Sequence, residues 1–244
     1  MDITISKKMI DLSNLSYSNN LQYIKDYIND NYNITNIEYI NINNIQCFLL
    51  NDNNDTYIVF RGTNTIYDFF INLEAKLTKT KYGNIHYGCY NEVSSIYNII
   101  LKFIDMYEYN NIYITGHSFG GSLSNVLGLL LYYRENIKNI YLYTFGALKV
   151  FDEKTSIKFE EDICTHVFRF VNKRDIIPHF PIFHVYKHVG DSLIIYNNKI
   201  LVQNISHSIY TSIYNIIKKI ICNGYKLYIN HKSETYLNNI NKLL

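Results

Sequence analysis

The sequence predicts one α/β domain built on a mostly parallel β-sheet covered by helices on both faces. Three observations carry that expectation. The 244 residues are long for one domain and short for two. Hydrophobic residues make up 48% of them, enough for a sizeable core. From about residue 56 onward, short β-branched and aromatic runs alternate with runs of helical spacing, the pattern of a parallel sheet buried on both faces.

The elements follow in chain order. Residues 1–31 space their apolar side chains helically, with Ile10, Leu12, Leu15, Leu21, Ile24 and Ile28 as candidate buried positions. IEYINI (37–42), IQCFLL (45–50) and TYIVFRG (56–62) read as strands, since Ile, Tyr, Phe and Val suit a buried or half-buried sheet. YNEVSSIYNIILKFIDMY (90–107) reads as a helix with Val93, Ile96, Ile100 and Ile104 on one side. NIYIT (111–115) is a strand, SLSNVLGLLLYYREN (122–136) a helix, and NIYLYTFG (139–146) and HVFRFVN (166–172) are strands again. Residues 185–202 read as a hairpin turning at NNK, and 206–221 as a helix capped by Ser206. The last segment, from about Lys232 to Leu244, is helical. Thr63, Ser118, Gly146 and Asp175 all lie just past predicted strands. Sites in such sheets gather at the carboxyl ends of strands, so these four share one rim.

Composition narrows the function classes. The net charge is +2 with both signs mixed and no basic stripe, which argues against a nucleic-acid partner. Asn, Ile, Tyr and Lys are over-used, as a nucleotide bias toward AT-rich codons would produce. The longest apolar run, VLGLLLYY (126–133), is too short to span a bilayer. The N-terminal stretch has no apolar core of signal-peptide length. The expectation is a cytoplasmic protein, or one peripheral to membranes, with a virus-encoded origin compatible. Cys47, Cys89, Cys164 and Cys222 are scattered and read as buried free thiols.

Gly116-His117-Ser118-Phe119-Gly120 matches the G-x-S-x-G nucleophile elbow, between a strand and a small-residue helix start. A tight strand-to-helix turn exposes the serine hydroxyl. The residues two before and two after approach neighbouring chain too closely for a Cβ, so Gly116 and Gly120 are the fitting types. The helix N-terminus favours negative charge at this point. The competing reading is an ordinary serine in a glycine-rich turn. With Ser118 as nucleophile, the Phe119 N–H supplies one oxyanion donor. Thr63, turned toward the site by Gly62, supplies a second through its N–H and hydroxyl. Arg61 reads as a structural pairing at the strand end.

IVFRGTNTIYDFFINL, IHYGCY (85–90), ITGHSFGGSLS (114–124), YTFGALKV (143–150) and FRFVNKRDIIPHFP (168–181), in that order and spacing, resemble the class 3 lipases, the fungal-type triacylglycerol lipases. The resemblance covers roughly residues 55–242 and implies an α/β-hydrolase fold in a single domain. The family usually has Leu where this chain has Phe119 and Pro where it has Leu148. Neither change removes a catalytic group, and Phe119 narrows the acyl site.

The triad order Ser, then acid, then His points to Asp175, after the strand HVFRFVN and in a loop stiffened by the chain's only prolines, Pro178 and Pro181. Its competing readings are a surface aspartate paired with Lys173 or Arg174, and Asp191 as the acid instead. For the base, the residues alone leave five histidines: His179, His184, His188, His207 and His231. The resemblance places it at His231, followed by an aromatic at Tyr236. The spacing of His179, His184 and His188 fits no compact zinc motif, and no metal or cofactor is expected.

Between the oxyanion strand and IHYGCY, Thr65 opens an apolar stretch with Ile66, Phe69, Phe70 and Leu73 and a single charge at Asp68. It is either a buried core helix or, as the resemblance implies, a lid that opens on a lipid surface. The expected activity is serine-dependent hydrolysis of a lipid ester at a membrane or droplet surface, triacylglycerol first. Phospholipid and other acyl-lipid headgroups remain alternatives, as does a catalytically silent lipid-binding protein on the same fold.

Overall fold

The computed structural model describes residues 2–43, 45–63, 76–163, 166–181, 185–197, 199–203 and 229–243. The chain enters through α1 (Ile3–Leu15) and α2 (Leu21–Asn31). The helical spacing over 1–31 is interrupted once, because Asn20 caps the second helix by accepting the Tyr23 N–H at 3.0 Å. A meander follows: β1 (Asn36–Ile42), β2 (Ile45–Asn51) and β3 (Asp55–Phe60). Then come β4 (Leu77–Thr80), β5 (Gly83–His86), α3 (Tyr87–Met106), β6 (Asn111–His117), α4 (Phe119–Arg134) and β7 (Ile140–Phe145). The remainder is β8 (Phe151–Asp152), α5 (Glu153–Ile163), β9 (Val167–Asn172), β10 (Tyr186–Lys187), β11 (Ser192–Tyr196), β12 (Lys199–Gln203) and α6 (Ser233–Asn241).

The main sheet runs β1-β2-β3-β6-β7-β9-β11-β12. Its centre, β3 through β11, is parallel. The antiparallel pairs are confined to the β1–β2–β3 meander and the terminal β11–β12 hairpin. This is the doubly covered sheet that the alternation predicts. In β3, Ile58 and Phe60 pack with Val93, Ile96 and Ile100 of α3 and Leu123, Val126 and Leu130 of α4. Tyr57 and Val59 point the other way, toward Met9 and Ile10 of α1, Phe145, Phe170, Tyr236 and Ile240. Both faces are thus buried, and the first and last helices lie on the same one.

Four short elements escape the sequence pattern. β4, β5, β8 and β10 form a second, four-stranded sheet, in strands of two to four residues that carry no alternation to detect. The helix α5 is polar along EKTSIKFEEDI and buries only one stripe, Phe159 and Ile163 with Thr155 and Ser156. The expected hairpin at 185–202 is shorter than predicted, because Tyr186–Lys187 pairs with β8 and Asp191 precedes the first hairpin strand. The helix expected at 206–221 and the stretch holding Ile66, Phe69, Phe70 and Leu73 lie outside the described residues, as do Cys164 and Cys222. Cys47 and Cys89 are buried free thiols. Among the described residues, no helix is long and apolar enough to cross a membrane.

His86 caps α3, its Nδ1 accepting the Cys89 N–H at 3.4 Å. Burial pushes its imidazole down to about 4. The folded state therefore stays neutral at His86 while the unfolded chain takes up a proton near pH 6.5. Stability from this residue is present above that value and is lost as pH falls toward about 4. We expect His86→Asn, which keeps a capping acceptor, to flatten the dependence of unfolding free energy on pH over that window. Urea titrations at half-unit steps should show a reduction of about one proton, or roughly 1.4 kcal/mol per pH unit.

Candidate active site

Strand β6 lies between β3 and β7 and ends at His117. Ser118 then adopts φ 58°, ψ −126°, a left-handed-side conformation that non-glycine residues rarely hold. Its N–H donates to the Phe145 carbonyl at 2.9 Å, and its carbonyl accepts the Gly121 N–H at 3.1 Å and the Ser122 N–H at 3.3 Å. Ser118 is the N-cap residue of α4, yet its hydroxyl makes no capping hydrogen bond. A serine in that position ordinarily spends its oxygen on the helix. Here the strained turn keeps the oxygen out of the cap, beside a helix start that favours negative charge.

The glycine spacing has the steric cause expected of it. A Cβ on Gly116 would lie 2.3 Å from the Gly120 carbonyl carbon, and one on Gly120 would lie 2.4 Å from the Phe60 oxygen. The elbow is therefore wedged between its own helix and the neighbouring strand β3. That strand leads to Thr63, whose Oγ1 is buried without a hydrogen-bond partner among the described residues. Arg61, just before it, is a structural pairing: its guanidinium donates to Asn19 Oδ1 (3.0 Å) and Gln46 Oε1 (2.5 Å).

Asp175 follows β9 and is buried. Its Oδ1 accepts the Ile177 N–H at 2.9 Å. Its Oδ2 accepts the Tyr236 hydroxyl and the His231 Nδ1, each at 2.7 Å. Tyr236 in turn accepts the Asn172 N–H at 3.0 Å, which ties α6 to the end of β9. A carboxylate only accepts, so Nδ1 of His231 carries the proton and Nε2 carries a lone pair. That Nε2 is buried and has no partner among the described residues. A protonated Nδ1 on a buried carboxylate, with Nε2 bare, is the arrangement of an imidazole ready to take a proton.

The other histidines separate cleanly. His188 donates through Nε2 to the Pro178 carbonyl at 2.6 Å, and burial, with Arg169 and Lys149 nearby, holds it well below its ordinary pKa. His179 is exposed on a short 3-10 turn at Ile177–His179. His184 and His207 lie outside the described residues. Asp191 has no share in the Asp175–His231 contact.

One participant is absent from the sequence reading. His117, the variable residue of the elbow motif, hydrogen-bonds through Nε2 to the main-chain carbonyl of His231 and through Nδ1 to the Tyr17 hydroxyl at 2.8 Å. Its position inside the motif was the only available signal, because its partners lie about a hundred residues away on either side.

Residues 57–185 match the family described as Lipase (class 3). A lipase of Rhizopus niveus is 30% identical over a 143-residue match that covers 51% of this chain and 34% of that protein. The chain thus spans about a third of the length of that curated relative. Among solved structures, it is similar to the Lip2 lipase of Yarrowia lipolytica, with a TM-score of 0.76 at 18% identity over 93% of this chain and 91% of that one. It is also similar to a triacylglycerol lipase whose catalytic centre is formed by a serine protease triad, with a TM-score of 0.74 at 23% identity over 84% and 86% of the two chains. At these identities the two structures speak to the fold.

The wedge at the elbow yields a direct expectation. Gly120→Ala must push its Cβ against the backbone of β3, at a cost of about 1–3 kcal/mol. Chemical denaturation should show that loss.

Proposed function

The chain belongs to the class 3 lipase family, and on that footing we propose that it hydrolyses carboxylic esters of lipids, triacylglycerols first, by acyl transfer through Ser118. The observation that supports this best is the Asp175–His231 contact, which leaves His231 Nε2 bare in a protein whose elbow serine withholds its hydroxyl from the helix cap.

In this reading Ser118 Oγ attacks the acyl carbonyl carbon while His231 Nε2 takes its proton. Asp175 keeps the ring in the required tautomer and stabilises the imidazolium. The tetrahedral oxyanion is met by the Phe119 N–H, at the first position of α4, and by Thr63. Collapse breaks the ester C–O bond, and the departing alcohol leaves with the proton from His231. Water then attacks the acyl-enzyme, with His231 again as base, and the fatty acid is released. The buried Thr63 hydroxyl, without a partner among the described residues, is suited to an acceptor that arrives only with substrate.

The apolar stretch with Ile66, Phe69, Phe70 and Leu73 supports a lid through its sequence alone, and a lid implies work at a lipid surface. We place the protein there, peripheral to a membrane or droplet. Phospholipids are the second substrate class, because the acyl-transfer machinery reads the ester and not the headgroup.

A fluorophosphonate probe should label the wild type and fail to label Ser118→Ala. Asp175→Asn should retain the fold and lose roughly 10⁴-fold in kcat. An absence of labelling in folded wild type between pH 6 and 9 would sink the enzyme reading in favour of a silent lipid binder. Turnover of tributyrin should jump once the substrate forms an emulsion. Faster hydrolysis of phosphatidylcholine than of triglyceride in the same panel would move the substrate class.

A further inference from the structure

We infer that Tyr17 and His117 brace the general base by its main chain, which makes the N-terminal segment part of the positioning apparatus of the reaction. The inference rests on the reading of His231 as that base.

The chemistry fixes the direction of the hydrogen bonds. The His231 carbonyl can only accept, so the His117 Nε2 that faces it carries the proton. Burial, and His231 next to it, hold His117 well below its ordinary pKa, so the ring is neutral. Its Nδ1 is then an acceptor, and the Tyr17 hydroxyl 2.8 Å away is the donor. Donation therefore runs one way, from Tyr17 through His117 to the carbonyl of His231. The helix that follows does not take this carbonyl. The N–H groups of Thr235 and Tyr236 go to the Lys232 carbonyl instead, at 3.0 and 3.3 Å.

The backbone is shaped around the contact. A Cβ on Gly62 would lie 2.0 Å from the Tyr17 hydroxyl oxygen and 2.6 Å from the His117 carbonyl. Any other residue there would evict the phenol. Gly62 therefore has a second role besides turning the chain toward Thr63. The His117 and His231 rings sit with centroids 4.6 Å apart, so a shift of one bears on the other. His117 is also the residue directly before the nucleophile. A single side chain thus connects the backbone of the serine to that of the base, and Tyr17 fixes its rotation. Displacing a reacting group by about 1 Å can cost a hundredfold in rate.

The same two ends of the chain touch elsewhere without involving the His231 carbonyl. Ser233 donates to Asn14 Oδ1 at 2.8 Å, which supplies a control. Using p-nitrophenyl butyrate, we would compare wild type, Tyr17→Phe, His117→Leu, His117→Gln, Ser233→Ala and His231→Ala for kcat, KM and melting temperature. The brace predicts that Tyr17→Phe lowers kcat about tenfold with KM unchanged, and that His117→Leu lowers it further. His117→Gln, which restores an N–H donor, should return to within about threefold of wild type. Ser233→Ala loosens the same ends and should keep full kcat. Should His117→Leu not fold, Tyr17→Phe against Ser233→Ala carries the comparison. Wild-type kcat in Tyr17→Phe, or an equal loss in Ser233→Ala, overturns the brace while leaving the base assignment intact. Full activity in His231→Ala overturns the base assignment and the brace with it.

Discussion

The backbone of Ser118 is the constraint on which the rest of the site depends. A residue with φ 58° and ψ −126° stores on the order of 1–3 kcal/mol unless its surroundings over-determine it. They do so here. The strand before it is the centre of a parallel sheet, and the helix after it is buried from Gly120 to Leu131. The glycines at 116 and 120 let the two approach within a distance that no Cβ permits. A relaxed turn would return the serine to the usual N-cap geometry, where its oxygen accepts an N–H from its own helix. The strain is thus what keeps the hydroxyl out of the helix cap.

Topology brings Asp175 and His231 together. Asp175 leaves β9, two strands from β6 and separated from it only by β7. Its carboxylate receives a main-chain N–H, a phenol and an imidazole, so neither oxygen is left to seek other partners. Tyr236 accepts one main-chain N–H while donating its own proton. Burial, then the Asp175 charge, pushes that phenol well above its ordinary pKa, so it stays a donor. His231 arrives from the far end of the chain, just before α6, which packs against α1. The first and last helices therefore share one sheet face, and the geometry at His231 draws on both.

How far the sequence could reveal this follows from the range of each interaction. The elbow was legible because its requirements are local: a β-branched strand, two glycines at fixed offsets, and a helix of small residues. The parallel sheet was legible because both faces of β3, β6 and β7 are apolar. Asp175 was legible through its prolines and its place after a strand. The histidine that meets Asp175 was not readable from residues alone, since five histidines follow it and the contact with His231 spans 56 positions. Family resemblance supplied that choice. Tyr17 and His117 were missed because a tyrosine in a helical pattern looks like packing until the fold places its hydroxyl against a ring a hundred residues away. The second sheet was missed because strands this short leave no period to read.

The two central rings differ in what their nitrogens meet. His117 and His231 present four ring nitrogens. His117 Nε2 is committed to a carbonyl, His117 Nδ1 to a phenol, and His231 Nδ1 to a carboxylate. One nitrogen remains without a partner among the described residues, and it belongs to the ring that meets Asp175. A proton on His117 would have no carboxylate to stabilise it among its described partners, a main-chain carbonyl and a phenol. A proton on His231 Nε2 meets Asp175 through the ring. Burial and hydrogen bonding thus sort two adjacent histidines into different roles, one held neutral as a strut and the other left with a single basic atom.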